Sequence, residues 1–433
     1  MARKVRGVLG RLTWGLADQA VSSLTNFAVG LLVARSLSAA EFGAFTLAWV
    51  TFGVALNLSR GLATDPLVVR YSGTSRSVWR AAVPASAGTA LAVGLAGGVV
   101  CAVAGLALGG TLGAAFVALG MVLPGLLLQD AWRYAFFAAG KGARAFANDM
   151  LWAVALVPFL GLASTRASVT WFVLAWGAAA AVAALVGCLQ TRLLPDLRGV
   201  VGWLSRQRDL GARYLFENVS QGVSSQLRMY GVGAIAGLAA AGTIRGAELL
   251  LGPFLAVLMG VSLFAVPEAA RVLRRSTRTL WHFCLGVGGL QSLGTLAWCL
   301  ALLLFLPDAV GAAVLGPVWA TASQLILPVS LSVMNAGFSA GATAGLRALG
   351  AAGRSLRSQL FTSAAYLVFG VIGAAAGGAF GSACGCAVAT LLGAAVWWWQ
   401  LREGLRDHDR AARSPALAAA TPRPESTHID QGA

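Results

Sequence analysis

Residues 216–230 read FENVSQGVSSQLRMY, a polar run inside a stretch, 212–238, whose flanks require a membrane span. An arginine facing lipid at mid-span costs at least roughly 2.5–3.5 kcal/mol on insertion scales. On a helix, Glu217, Gln221, Ser224 and Arg228 are spaced by four, three and four residues and share a face. Turned toward a water-filled cavity, that face escapes most of the penalty. The stretch therefore predicts a helical bundle that encloses a hydrated cleft.

The surrounding composition agrees. Of 433 residues, 58% are hydrophobic and 11% charged, against about 25% charged in soluble domains. Apolar blocks near the 20 residues that cross a bilayer recur along the chain. Spans are predicted near 14–34, 42–64, 82–107, 111–138, 146–164 and 168–190. A second set follows near 212–238, 241–266, 280–306, 318–342, 358–377 and 380–400. The fold class is an all-α polytopic membrane protein, with about twelve helices in two six-helix lobes around a central cavity. The basic N-terminus (MARKVRGVLGR) resembles a signal peptide, but Asp18 and Gln19 interrupt any apolar region, so it reads as an uncleaved first span.

The net charge of +16 fits topology better than nucleic-acid binding, because the arginines fall in short loops between apolar blocks. Arg35, Arg166 and Arg245 fall on one side of the membrane and Arg228 lies within a span. The remaining 28 of the 32 basic residues fall on the other side. That bias predicts an inner-membrane protein with both termini cytoplasmic.

The predicted units are an N-terminal lobe over 1–190, a basic cytoplasmic linker over 191–211, a C-terminal lobe over 212–401 and an unstructured tail over 402–433. The linker's leucines and valines recur at helical spacing, which suits either a short interfacial helix or a solvated connection. A shift of 199 residues places Asp18-Gln19 on Glu217-Asn218 and Gly43 on Gly242. The halves thus read as a parallel repeat about an axis normal to the membrane, an arrangement that favours a substrate site between them.

In the first span Asp18, Ser22 and Asn26 follow at intervals of four, so the first and seventh spans each carry a polar stripe. The candidate cavity residues are Arg228, Ser224, Gln221, Glu217, Asp18, Ser22 and Asn26. Arg228, about 24 Å along its helix from Ala212 at 1.5 Å per residue, is the candidate for binding an anionic group. A structural ion pair is the other reading of it. Arg245 and Glu248, three apart, can neutralise each other. Gln129, Asp130 and Arg133 either line an entrance or anchor their helix, and Asp149 at a helix end needs no special role.

The six cysteines lie in apolar blocks, and neither they nor the three histidines form a metal motif. A GxxxxGK[ST] phosphate loop is missing, as is any nucleophile–base arrangement. No enzyme activity, cofactor or nucleic-acid partner is expected.

Residues 16–49, LADQAVSSLTNFAVGLLVARSLSAAEFGAFTLAW, resemble the opening of polysaccharide exporters. These are lipid-linked oligosaccharide flippases of the multidrug/oligosaccharidyl-lipid/polysaccharide (MOP) superfamily. The resemblance rests on the polar first span with Gln19 and Asn26, then Ala34-Arg35-x-Leu37, then Glu41-Phe42-Gly43-x-Phe45. It implies two lobes forming a V around a cavity, working by alternating access on an undecaprenyl-pyrophosphate-linked glycan. Arg228 would then contact pyrophosphate, and Arg35, Glu41 and Gly43 would shape the first external turn. Membrane lipids, and glycosyltransferases or a polymerase of the same pathway, are the partners it implies. The related peptidoglycan-precursor flippases have fourteen spans and a more arginine-rich cavity, which this chain does not match. A multidrug-type cation antiporter of the same superfamily and a non-transporting membrane scaffold are the competing readings. A major-facilitator transporter is disfavoured, because its basic loop motif is missing from 65–80.

Overall fold

The computed structural model describes residues 2–413, and their side-chain surroundings everywhere but at 2–13, 15, 16, 210, 212–221, 253, 256–264 and 411–413. Among the described residues every regular element is helical. In chain order they are α1 (Ala2–Ser36), α2 (Ala39–Tyr71), α3 (Arg76–Leu108), α4 (Gly110–Ala138), α5 (Gly142–Arg166) and α6 (Val169–Thr191). The second lobe follows as α7 (Val200–Ile235), α8 (Leu238–Leu273), α9 (Thr277–Phe305) and α10 (Asp308–Ala348). A last helical run, Ala352–Arg413, is broken at Gly377 and Gly378, where φ reaches 60°. Glycine adopts that conformation without steric cost, and the break divides the run into α11 (352–376) and α12 (379–413).

Twelve helices among the described residues thus form two six-helix lobes around a cavity. Among the described residues, eight helices have the length and hydropathy of a membrane span. Large apolar side chains also point outward: on α3, Val99, Val103 and Leu106 are each more than 60% exposed. Such faces are stable only against lipid, and the chain is a multi-pass membrane protein.

The motif at residues 34–45 builds the turn between α1 and α2. Ser38 caps α2 by accepting from the Glu41 amide at 3.3 Å, while the Glu41 carboxylate accepts from the Ser38 amide at 3.1 Å. This reciprocal box satisfies donors that a helix start leaves open. Leu37, Phe42 and Phe45 are buried behind it.

The two lobes meet at their arginine-poor end through α2 and α8. A Cβ placed on Gly43 would run into the carbonyl oxygen of Leu238, and one on Gly242 would run into that of Ala39. The partners obey the repeat: Ala39 and Leu238 are 199 residues apart, as are Gly43 and Gly242. A pseudo-twofold axis therefore passes between these helix starts, and only glycine permits the backbones to approach so closely. Nearby, Gly233 of α7 packs on the Leu47 side chain, and Thr51 of α2 meets the Tyr230 hydroxyl at 2.7 Å.

Two segments differ from expectation. Residues 200–211 are not a separate interfacial helix but the first turns of α7, whose 36 residues span about 54 Å at 1.5 Å per residue. They dock on the first lobe: the Trp203 indole is buried, stacks on Tyr71 and donates to the Leu62 carbonyl at 3.0 Å. That carbonyl belongs to a π-helical turn, Arg60–Thr64. Irregular turns of this kind leave carbonyls for outside donors. The tail, expected to be unstructured from Arg402, continues α12 to Arg413, held in part by an Arg354–Asp407 ion pair at 2.5 Å. Residues 414–433 lie outside the described residues.

Candidate functional site

A cavity of about 900 Å³ lies between α1 of the first lobe and α7, α8, α10, α11 and α12 of the second. Its polar wall is built around Arg228, Arg245, Glu248 and Tyr366, with Gln19, Ser23 and Asn26 facing from α1. Leu24, Phe27, Leu249, Leu255 and Val333 supply an apolar wall. The site is thus amphipathic, with charge gathered on the second lobe.

Arg228 is 3% exposed. Its guanidinium donates to Glu248 Oε1 at 3.0 Å and sits over the Tyr366 ring, 5.1 Å from the centroid. Arg245 donates to the other carboxylate oxygen of Glu248 at 3.3 Å. The Nε of Arg228 is buried and meets no hydrogen-bond partner among the described residues. Gly370 makes room for the arginine stem, since a Cβ there would lie 2.7 Å from its Cδ. Two guanidiniums around one carboxylate leave a net charge of about +1 on a wall where Arg228 is withdrawn from water and Arg245 and Glu248 are part-exposed, so the charge acts more strongly than it would in bulk water. An arginine fork stacked on an aromatic ring is rigid and suited to phosphate or carboxylate oxygens.

Depth explains why these residues gather. Arg228 lies seven residues before the end of α7 and Arg245 seven after the start of α8. On antiparallel neighbours both fall about 10 Å below the turn at Gly237, at 1.5 Å per residue. Three apart in sequence, Arg245 and Glu248 are expected to neutralise each other, and they do pair; counting inward from Gly237 also brings them level with Arg228.

The stripe expected on α1 divides. Asn26 lines the cavity, but Asp18 and Ser22 do not. Each four-residue step overshoots a full turn by about 40°, so Asn26 is rotated about 80° from Asp18. Gln19, Ser23 and Asn26 lie closer to one line and face the cavity instead. On α7, Arg228 lines the cavity and Ser224 does not. The side chains of Glu217 and Gln221 lie outside the described residues.

Asp18 instead faces into the first lobe, fully buried. It accepts from the Arg133 guanidinium of α4 at 2.6 Å. Arg133 also lies 3.3 Å from Asp149 of α5, and Gln129 donates to Asp149 at 2.8 Å. Asp149, expected to sit idle at a helix end, is 1% exposed. Asp130 takes a two-pronged ion pair from Arg60 at 2.8 and 3.1 Å. Gln129, Asp130 and Arg133 thus anchor helices, and none of them is among the residues that line the cavity. Removing one partner of such a buried pair strands a charge, at about 3–5 kcal/mol. Arg133→Leu is accordingly expected to lose about that much stability, read as a lowered thermal midpoint of the detergent-solubilised protein. An unchanged midpoint would show that the network holds nothing.

Among the described residues no group of His, Cys, Asp and Glu is placed to hold a metal ion, and the six cysteines are free.

Sequence comparison finds no match, either to a family model or to a curated protein. Structures do match. An inward-facing multidrug resistance MATE family transporter of the MOP superfamily aligns with a TM-score of 0.67 and 16% identity, over 90% of this chain and 96% of that one. The lipid II flippase MurJ, in an inward closed conformation, aligns with a TM-score of 0.64 and 10% identity, over 95% and 94%. A MOP superfamily transporter from Pyrococcus furiosus, described as having a binding pocket of reversed polarity that suggests a different function, aligns at 0.54 and 13%, over 92% and 95%. At these identities the likeness is one of architecture: the chain has the fold of the MOP-superfamily transporters.

Proposed function

We propose that the chain exports a lipid-linked glycan precursor, of the undecaprenyl-pyrophosphate type, across the cytoplasmic membrane by alternating access. The observation that carries this reading is the net-positive cluster of Arg228, Arg245 and Glu248 on the wall of an amphipathic cavity. A pyrophosphate headgroup would meet the guanidiniums, while the lipid chain stays against Leu24, Phe27 and the bilayer. The arginine bias among the loops supports cytoplasmic termini. Cargo would then be assembled on the inner face by glycosyltransferases and released to a polymerase outside. Moving two negative charges out of an inside-negative cell is favourable by about 4–5 kcal/mol per 100 mV. No nucleotide hydrolysis is needed.

A multidrug-type antiporter would offer a carboxylate to its cation. Among the described residues Glu248 is the only carboxylate on the cavity wall, and it is held between two guanidiniums. The scaffold reading leaves the cavity without a purpose.

The test is deletion of the chain in its own host. Loss of surface glycan, with lipid-linked precursor building up on the cytoplasmic side and restored on complementation, is expected. Normal surface glycan after deletion would refute the reading.

A further inference from the structure

Resting on that reading, we infer that Glu248 is a resident counter-anion whose displacement selects for headgroups carrying two phosphates. Glu248 spends one oxygen on Arg228 at 3.0 Å and the other on Arg245 at 3.3 Å. Among the described residues it is the only anion that the two guanidiniums meet. Its side chain is 27% exposed while that of Arg228 is 4% exposed. The carboxylate can therefore swing into water, but the guanidinium, clamped by Gly370 and Tyr366, cannot.

Cargo must take a guanidinium edge that is already occupied. A headgroup with one phosphate gathers its charge, about −1.5 to −2 near neutral pH, on a single phosphorus. It takes one guanidinium edge and must share the site with Glu248, whose charge repels it, so little is gained. A diphosphate brings a second anionic group that can engage Arg245 while the first holds Arg228. It replaces both contacts that Glu248 makes, and the carboxylate is released to solvent. Glu248 thereby suppresses binding of monophosphate lipids and of free carboxylates more than binding of the diphosphate. It also keeps two like charges from repelling one another while the cavity is empty.

The experiment measures binding of farnesyl monophosphate and farnesyl diphosphate to the detergent-solubilised full chain. Wild type is expected to prefer the diphosphate by tenfold or more. Glu248→Gln keeps the hydrogen-bonding shape and removes the charge. It is expected to tighten monophosphate binding about tenfold and the diphosphate less, so that the preference shrinks to a few-fold. Arg245→Gln leaves the carboxylate wholly on Arg228 and is expected to weaken both probes. Adding Glu248→Gln to it should restore monophosphate binding.

An unchanged or larger preference in Glu248→Gln overturns the inference, and so does a failure of the double variant to recover binding. If Glu248→Gln does not fold, the double variant alone decides. Arg228→Ala separates the two levels of the account. Wild-type binding in that variant defeats the export reading itself, whereas lost binding beside an unaltered Glu248→Gln preference defeats only the role of Glu248.

Discussion

Arg228→Ala is expected to cut translocation of a pyrophosphate-linked glycan at least a hundredfold while the protein still inserts and folds. Two charge-assisted hydrogen bonds to phosphate, each worth about 1.5–3 kcal/mol, vanish with the guanidinium. The stacking over Tyr366 goes with them. Folding should survive because Glu248 keeps Arg245 at 3.3 Å, so no carboxylate is stranded. Arg228→Lys retains the charge but not the planar fork, and should fall between, about tenfold below wild type. The measurement is flipping of labelled lipid-linked substrate in proteoliposomes, normalised to inserted protein. Wild-type transport by the alanine variant would make Arg228 a structural ion pair.

The second large effect is expected at the seam between lobes. Gly43→Val places a side chain where the Leu238 carbonyl stands, and Gly242→Val does the same against Ala39. Backbone cannot yield as a side-chain tip can, and overpacking typically costs 1–3 kcal/mol or more. Closure at the arginine-poor end should therefore fail in either variant, and transport should stop. Cys386 lines the cavity and gives the readout. In a chain lacking the other five cysteines, an impermeant maleimide added outside should label Cys386 several-fold faster in both variants. The pseudo-twofold relation requires the two substitutions to act alike. Unchanged labelling would mean that the seam does not seal the cavity.

The architecture was legible because the solvent imposes it. Long apolar blocks and short arginine-rich loops each have few structural outcomes in a bilayer. The repeat was visible only as a few matched positions, yet Gly43 and Gly242 are where the two halves touch. Arg228 could be singled out because a lone arginine deep in a span has no cheap alternative to a cavity or a partner. In the structure it has both.

What the sequence hid is mostly angular. A four-residue spacing marks a face for two turns and then drifts, so Asp18 and Asn26 serve different neighbours. Nothing in the chain order brings Arg133 and Asp149 to Asp18; that pairing depends on how α4 and α5 pack. Glu248 looked self-neutralised because its nearest charge in sequence is Arg245, whereas its shorter contact is to Arg228, twenty residues earlier. The helical continuation of α12 past Arg402 likewise draws on tertiary contacts, the Arg354–Asp407 pair and the burial of Leu405.

The sharpest test is a selectivity measurement in vesicles containing only this chain and lipid, with an inside-negative potential imposed. Export of a polyprenyl-diphosphate-linked sugar, dependent on Arg228 and faster with larger potential, is the predicted result. Transport of organic cations with no movement of the anionic lipid would contradict it.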